Sequence, residues 1–471
     1  MEYEAIIGLE LHVQMKTKSK MFSNAPVSFG MKPNSEVVYL DMAFPGSMPV
    51  VNKQAVINGI RMCHALHMNI DHELWFDRKN YFYSDLPKGY QITQEKRPLG
   101  KNGYLEIKFG EEKKRIGVER LHLEEDTCKQ IHERSNTLID FNRSGIPLIE
   151  VVSKPEIRSG LEAAKFVEKI RSIVSFLDIS NGKMEEGSLR CDVNISTKRK
   201  GENEFGTKVE IKNINTLNNI QKAIEYEYNR QVSILEKGER VAQETRRYDE
   251  KEKKTISMRS KMDAVDYKFF FDPNIPPVRL SDDFIKRAIE TSNELADEKY
   301  VRFIKLGLSD YSASLLINNK DITDYFEKVI KQEANPKLAA NWINDNIQSC
   351  LNKKKIDIKA FPIKPNKLSE LLILLENKKI SNKQAKEIFA KMIDDDISPL
   401  SLIKEDGVVD EKAIEEVVDN IISSKPSLIT DYQNGKDKIK GYIIGQVIQR
   451  TNGQADPNKT NEIVLKALQR R

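Results

Sequence analysis

The sequence has few cysteines and no long apolar run, and each absence excludes a class of protein. No pair among its four cysteines has the spacing of a zinc site, and nothing indicates a disulfide framework, so we expect a reducing, cytoplasmic location. No uncharged apolar stretch is long enough to span a bilayer, so we expect no membrane association. The four residues are Cys63, Cys128, Cys191 and Cys350.

Further absences concern chemistry and charge. The sequence contains no glycine-rich phosphate loop and no Gly-x-Ser-x-Gly or Cys–His nucleophile pattern, so any bound ATP must lie on a sheet. The net charge of +5, from 76 basic and 71 acidic residues, permits nucleic-acid binding without indicating it. The N-terminal Met1-Glu-Tyr-Glu leads directly into a strand pattern, so we expect no secretory signal.

What the sequence does have is length and two changes of pattern. A chain of 471 residues suggests roughly three domains. Residues 1–292 combine strand-like runs with a few helical ones, which predicts a mostly antiparallel α+β domain. Residues 293–405 predict a helical domain. Residues 406–471 predict a small helical tail whose net charge changes from −5 over 406–431 to +5 over 432–471. Its basic part is either a phosphate-binding face or simply a solvated helix.

Hydrophobic periodicity places the main elements. The predicted strands are Ala5–Val13, Leu74–Tyr83, Tyr104–Phe109, Arg115–Leu123, Ser188–Ser196 and Thr207–Ile214. The predicted helices of the first domain are Gln54–Met68, Leu161–Leu177 and Leu217–Lys237. In the second domain, Asn335-Pro336 predicts a helix start, and Ser381 with Gln384 predicts a capping box.

Carboxylates recur on the polar faces of these strands. Side chains alternate along a strand, so Glu10 and His12 share one face, as Arg190 and Asp192 do on another strand. An acidic sheet face can hold Mg²⁺, which prefers oxygen ligands and often accompanies nucleotide phosphates. For a single strand the alternative is an ordinary solvated face, and the recurrence of the pattern favours chemistry.

Two more acidic strings strengthen this pattern. Glu124-Glu125-Asp126 end a strand, where three adjacent acids repel one another unless cations neutralise them; a surface turn is the alternative. Glu150 lies inside an apolar run, where a carboxylate must face solvent or have a metal or basic partner.

Cationic and phenolic side chains accompany the acids. Lys79 and Tyr81 lie on one side of the predicted strand Leu74–Tyr83, and Lys88 follows shortly after. Glu210 and Lys212 share another strand face, which is either a plain surface or the ion-paired wall of a phosphate site. Acids for a metal ion together with cations for phosphate describe a phosphoryl-transfer site.

These strings together resemble the B subunits of the tRNA-dependent Asp/Glu amidotransferases. The resemblance extends over the whole chain, and motifs this long and this ordered are specific. The matching strings are Gly8-Leu-Glu-Leu-His-Val-Gln14, Pro45-Gly46, Phe76–Ile92, Leu121–Asp126, Asn142–Glu150, Lys183–Asn194, Glu244–Arg247 and Gly445-Gln446.

The resemblance implies a fold, a reaction and partners. The fold would be a glutamine-synthetase-like cradle domain, a helical domain and a YqeY-like tail that binds tRNA. The reaction would convert Glu-tRNA(Gln) and/or Asp-tRNA(Asn) to the amidated form: Mg-ATP phosphorylates the side-chain carboxylate, and ammonia then attacks. An A subunit would release that ammonia from glutamine and deliver it through a channel, and a C subunit would hold the pair together.

The resemblance also places the site. The family's metal and nucleotide site maps onto Glu10, His12, Glu125, Glu150 and Asp192, with Lys79, Tyr81, Lys88 and Arg190 nearby. With the strand patterns added, we predict catalytic roles for Glu10, Lys79, Lys88 and Asp192. The predicted metal ligands are His12, Glu125 and Glu150. The predicted nucleotide contacts are Tyr81, Glu124, Arg190, Glu210 and Lys212.

Departures and rival interpretations accompany this prediction. Some family members have paired C-x-x-C motifs in the region matching residues 20–50, and this chain has none, so we expect no structural zinc. Thr127-Cys128 replaces a usual Ala-Gly pair, and Lys268–Pro273 differs from the usual string.

A non-catalytic tRNA-binding scaffold is one rival function, although polyanion binding has no use for acidic faces. A free-standing amidoligase for a small acid is another.

Overall fold

The chain forms two compact units, one ending at Ala296 and the other beginning at Asp297. Over the described residues, every helix is too short or too polar to span a bilayer. The structure is a computed structural model that describes residues 2–110, 112–260, 266–395, 397–402, 410–433, 436, 438–451 and 455–469.

Strands dominate the first unit, and most of them join one large sheet. The described strands are β1 (Tyr3–Gln14), β2 (Asn69–Ile70), β3 (Glu73–Leu74), β4 (Asp77–Asn80), β5 (Tyr90–Thr93), β6 (Gly100–Phe109), β7 (Glu112–Glu125), β8 (Lys129–His132), β9 (Thr137–Asp140), β10 (Pro147–Ser153), β11 (Leu189–Arg199), β12 (Val209–Ile214), β13 (Glu244–Asp249), β14 (Lys254–Ser260), β15 (Phe270–Phe271) and β16 (Val278–Arg279).

The large sheet has nine strands in the order β14-β13-β12-β11-β1-β10-β7-β6-β2. Neighbouring strands are antiparallel except for β12 and β13. β1 therefore lies at the centre, between β11 and β10, which are far from it in sequence. Three smaller sheets are present among the described residues: β4 lies between β15 and β5 in one, β16 pairs with β3 in another, and β8 pairs with β9 in the third.

Helices cover the apolar face of the large sheet. Leu9, Leu11 and Val13 of β1 are fully buried against side chains of the first three helices, such as Phe166 and Ile220. Helices of this unit begin at conventional caps, since the side chains of Asn52, Ser159, Thr216 and Ser281 accept first-turn N–H groups. The helices are α1 (Lys53–Ala65), α2 (Gly160–Phe176), α3 (Leu217–Glu236) and α4 (Asp282–Glu290).

The second unit is helical where it is described. The Ser381–Gln384 capping box is confirmed, and Asn335 caps the helix that begins at Pro336. The apolar stripe from Leu338 to Leu351 runs through two helices joined by a π-helical turn, Ile343–Ile347. The helices are α5 (Ala296–Lys305), α6 (Asp310–Ile317), α7 (Lys320–Ile330), α8 (Pro336–Trp342), α9 (Gln348–Lys354), α10 (Pro365–Glu376), α11 (Asn382–Asp394), α12 (Glu411–Ser424), α13 (Ser427–Gln433), α14 (Lys438–Arg450) and α15 (Pro457–Gln469).

Buried apolar side chains form separate clusters in the two units. The second unit has two of them, one between Phe303 and Met392 and one between Ile414 and Leu468. The predicted boundary between residues 405 and 406 lies outside the described residues, so the division into three domains stays a prediction.

One predicted strand is wrong. The segment Leu74–Tyr83 is not a single strand: β3 ends at Leu74, β4 ends at Asn80, and they belong to different sheets. The break follows from Asp77, a buried carboxylate that accepts hydrogen bonds from Trp75 Nε1 (3.0 Å) and the Lys96 amide (2.9 Å). Buried polar groups need such partners, and the chain turns to supply them.

The close approach of α2 and α3 generates a stability prediction. A Cβ atom at Gly160 would lie 2.6 Å from the carbonyl oxygen of Gln221 and 2.9 Å from its Cα. We expect Gly160→Ala to lower the free energy of unfolding by about 1–3 kcal/mol, because backbone atoms cannot yield as a flexible side chain can. Urea denaturation measures the change.

Gly8→Ala is the matched control, because its Cβ would meet nothing closer than 3.9 Å. Equal unfolding free energies for the two alanine variants would contradict the proposed helix contact.

Candidate functional site

The polar face of the large sheet brings distant residues into rows. His12 on β1 lies opposite Arg190 on β11 and Glu150 on β10, and Glu150 lies opposite His122 on β7. Directly opposed residues of antiparallel strands point to the same face, so this row crosses four strands. Residues separated by more than 170 positions in the chain become neighbours in this way.

Two imidazoles and two carboxylates meet on this face. His12 Nε2 is 3.5 Å from Glu124 Oε1 and 3.3 Å from Glu150 Oε2. His122 Nε2 is 3.6 Å from Glu124 Oε2 and 3.0 Å from Glu150 Oε2. We call these four residues the acid–histidine cluster. His12 is its most exposed member, with a side chain 23% exposed against 4% for Glu124.

The close contacts within the acid–histidine cluster shift the pKa values of His122, His12 and Glu150. Burial alone would lower the pKa of His122, but Glu150 and Glu124 outweigh it and raise that pKa to about 10. The pKa of His12 is also raised, with burial opposed by Glu150 and Glu124. Burial would raise the pKa of Glu150, yet the two histidines hold it well below its usual value. Each of these three shifts favours the charged form of its group.

The cluster has the donor set of a divalent-cation site. Ligand atoms of His12, Glu124 and Glu150 all lie within 4.8 Å of one another. Carboxylate oxygens suit Mg²⁺ and Mn²⁺, and one imidazole is compatible with either ion. Because a ligating imidazole must be neutral, binding of an ion through His12 competes with protonation of that ring. The residues therefore fit the ion that the sequence predicts.

Glu125 lies elsewhere, which differs from the predicted metal set. Side chains alternate along β7, so Glu125 follows Leu121 and Leu123 to the other side of the strand and Glu124 faces His12. Its carboxylate accepts hydrogen bonds from Lys88 Nζ and from the Ile92 amide (3.1 Å). The structure thus places Glu124, predicted as a nucleotide contact, in the position that was predicted for Glu125.

The remaining acids extend the polar face on the far side of β1. Glu10 lies opposite Asp192, and its carboxylate accepts a hydrogen bond from Asn194 Nδ2 at 2.9 Å. Lys212 Nζ lies 2.7 Å from Asp192 and 3.1 Å from Glu210, and these acids raise the pKa of Lys212 against the effect of burial. The predicted wall of paired charges is therefore present on β11 and β12.

Arg190 is held beside this face by an acid that the prediction did not include. Its guanidinium lies 2.7 Å from Asp126, which also lies 3.8 Å from Arg143. Arg143 in turn donates to the carbonyl oxygens of Thr127 (2.8 Å) and Cys128 (2.6 Å). Thr127 and Cys128 thus contribute backbone oxygens to this network.

Lys79 lies near the end of β4, and Tyr81 directly follows that strand. Lys79 Nζ lies 4.8 Å from the ring centre of Tyr267 and 5.9 Å from that of Tyr81. Burial raises the pKa of Tyr81, and Glu124 and Glu125 add to the effect. Among the described residues no carboxylate pairs with Lys79, whereas Lys88, Arg190 and Lys212 each have one.

Two residues of this region, His122 and Asp126, were not predicted as site residues. His122 lies two residues before Glu124 on β7, and Asp126 lies two residues after Glu124, just beyond the end of that strand. This period-two signal was available in the string Leu121–Asp126. The pairing of His122 with Glu150 depends on strand register, which the string alone does not contain.

Comparison with protein families defines the class. Residues 5–286 match the model described as "GatB/GatE catalytic domain", and residues 324–468 match one described as "GatB domain". The fold and its acid-lined sheet face therefore belong to an amidotransferase component of a catalytic family.

Curated relatives make the assignment particular. The chain is 44% identical to a protein of Carboxydothermus hydrogenoformans over 99% of both chains. It is 44% identical to one of Persephonella marina, covering 99% of this chain and 100% of the relative, and 43% identical to one of Staphylococcus sp over 100% of both. Each relative is named as the B subunit of an aspartyl/glutamyl-tRNA(Asn/Gln) amidotransferase. This chain belongs to the family of those B subunits, which form part of a multi-subunit enzyme.

The different positions of Glu124 and Glu125 generate a binding prediction. We expect Glu124→Gln and Glu150→Gln each to weaken Mn²⁺ binding by at least about tenfold, a loss that changes to outer partners of metal ligands already produce. Electron paramagnetic resonance of free Mn²⁺ measures the affinity after the protein has been stripped with a chelator.

Glu125→Gln is the control, because it removes an adjacent acid whose partner is Lys88. We expect it to bind Mn²⁺ nearly as wild type does. A loss equal to that of Glu124→Gln would show that the acid–histidine cluster is not the ion site.

Proposed function

We propose that this chain converts Glu-tRNA(Gln) and/or Asp-tRNA(Asn) to the amidated tRNA, by ATP-dependent phosphorylation of the side-chain carboxylate and attack by ammonia. The observation that carries the proposal is the acid–histidine cluster, together with a lysine, Lys79, that has no carboxylate partner among the described residues. The family membership of the chain supports the same conclusion.

The reaction needs an activated carboxylate. Ammonia does not displace oxide from a carboxylate, whereas phosphate is a good leaving group, so the side chain of the aminoacyl residue must first accept a phosphoryl group. The resulting acyl phosphate has to be kept from water until ammonia arrives. The site must therefore bind a triphosphate and a carboxylate together in a sheltered place.

Side chains of the site divide this task. Lys79, whose ammonium lies beside the phenol rings of Tyr81 and Tyr267, is available to bind the transferred phosphoryl group. Lys88 is held by Glu125, and Arg190 is kept in place by Asp126. We assign Tyr81, Glu210 and Lys212 to nucleotide contacts, with Glu10 and Asp192 completing the acidic face.

A magnesium ion is the cofactor we propose. His12, Glu124 and Glu150 would hold it, and the bound ion would neutralise phosphate charge during transfer. ATP, with which the family works, is the phosphoryl donor. We expect no zinc.

The domain roles follow the same proposal. We propose a glutamine-synthetase-like cradle (residues 1–292), a helical domain (293–405) and a YqeY-like tail (406–471). The cradle would take the aminoacylated end of the tRNA, and the tail would bind its body. The proposed partners are an A subunit that releases ammonia from glutamine and a C subunit, all in the cytoplasm.

Reconstitution with and without the A and C subunits tests the function. We expect ATP cleavage and amidation that depend on the misacylated tRNA, with glutamine effective only when the A subunit is present. Wild-type complex that binds tRNA without cleaving ATP would favour the scaffold. ATP cleavage stimulated by free glutamate alone would favour a small-acid amidoligase.

Lys79 provides a sharper prediction in the same assay. We expect Lys79→Met to lower the amidation rate by about 100-fold or more, because a positioned cation at developing phosphate charge contributes that much. Affinity for the tRNA should change little, since most of its contacts lie elsewhere.

Lys114→Met is the matched control: Lys114 is also half-buried, but it pairs with Glu162 at 2.6 Å. If both variants amidate at the wild-type rate, Lys79 has no part in the transfer.

A further inference from the structure

An exposed aromatic residue lies in the sequence between the two predicted phosphate-binding lysines, Lys79 and Lys88. Phe82 is 93% exposed and Tyr83 is 65% exposed, in the loop that joins β4 to β5. Loop residues between Phe82 and Gly89 line an open cavity of about 450 Å³. Burying a phenylalanine side chain would stabilise the fold by roughly 1.5–3 kcal/mol, and an exposed one does not contribute this. The exposure of Phe82 therefore calls for a physical reason.

The loop is held firmly although its tip is exposed. The Tyr81 amide donates to the carbonyl oxygen of Gly89 at 3.1 Å and closes the base of the loop. The side chain of Asp85 accepts from the Thr127 hydroxyl (3.0 Å), and its carbonyl oxygen accepts from the Cys128 amide (2.9 Å). These bonds fix the loop to the segment that follows β7, so Phe82 is presented by an ordered frame.

Gly89 shapes the side of the ring that faces the protein. This glycine has φ +74°, and a Cβ there would lie 3.2 Å from Phe82 Cε1. The ring therefore rests against bare backbone at its edge, and it remains open to solvent elsewhere.

The charges around the ring indicate what it binds. Lys88 lines the same cavity as Phe82, and Lys79 precedes the loop by two residues on β4. An apolar protein partner would have to bury those cations, whereas a nucleotide offers phosphate to the lysines and a flat base to the ring. Base stacking on an aromatic side chain needs the open ring that Phe82 provides.

We propose that Phe82, assisted by Tyr83, is a stacking platform for an adenine base whose phosphate lies toward Lys79. The ligand classes rest on the proposed function, which supplies two sources of adenine: ATP and the 3′-terminal adenosine of the tRNA. Stacking accounts for the exposed ring, the fixed loop and the neighbouring cations together.

The test uses the full chain in complex with its partner subunits. Phe82→Leu keeps an apolar side chain and removes the aromatic face, whereas Phe82→Tyr keeps the face. Phe205→Leu is the matched control, because Phe205 is also exposed (61%) and lies in a loop between β11 and β12. Calorimetry measures the Kd for Mg-ATP, and fluorescence anisotropy measures the Kd for a single-stranded RNA ending in CCA.

We expect Phe82→Leu to raise one of the two dissociation constants by roughly 5- to 100-fold, which is the contribution of one stacked base, and the ligand affected identifies the source. Phe82→Tyr and Phe205→Leu should bind as wild type does. The thermal unfolding midpoint should not change, because so exposed a ring contributes little to the core.

Unchanged binding of both ligands by Phe82→Leu overturns the stacking platform, and the proposed function stands if the wild-type complex still amidates tRNA. Loss of partner subunits from the Phe82→Leu complex, with both dissociation constants unchanged, also overturns it and makes Phe82 an interface residue. Failure of the wild-type complex to bind either ligand overturns both the platform and the function.

Discussion

Alternation of side chains along the central strands is the constraint on which the rest of the structure depends. One face of β1 places Leu9, Leu11 and Val13 in a fully buried core under helices. Because of that burial, the register of the neighbouring strands cannot slip by a single residue without exposing an apolar row. The opposite face therefore receives the side chains of Glu10 and His12 in fixed positions. Hydrophobic packing on one side of the sheet thus determines the geometry of the chemistry on the other.

Charge balance is the second principle of the polar face. Predicted acids have partners there: Asp192 has Lys212, and Glu150 has the two imidazoles. Glu125, on the other side of its strand, has Lys88. A phosphate or a metal ion can replace one member of such a pair. Each of these side chains can therefore exchange its protein partner for a ligand. Lys79 differs from the other predicted cations: among the described residues it has no carboxylate partner, and its ammonium lies beside two phenol rings.

The sequence predicted which side chains of one strand share a face, but it did not predict which side chains of different strands would be neighbours. Period-two alternation is a local property, so the shared faces of Glu10 with His12 and of Arg190 with Asp192 could be derived from short strings. Which acid meets His12 depends on the pairing of β7 with β10, a contact that no local pattern contains. The break between β3 and β4 was missed for a similar reason, since the partners of the buried Asp77 include a residue 19 positions away.

The acidic string at the end of β7 shows how alternation and charge balance combine. Three adjacent carboxylates would destabilise a strand end if they faced the same way, and here each meets different cations. Glu124 faces His12 and His122, whereas Glu125 is turned to the other side of the strand and holds Lys88. Asp126 returns to the polar side and holds Arg190. A single short string can therefore supply an ion ligand, orient a lysine and orient an arginine at once, because consecutive side chains of a strand point in opposite directions. Moving each of the three acids by one position along the chain would turn its side chain to the opposite side and break its pairing. The composition and the net charge of the segment would stay the same.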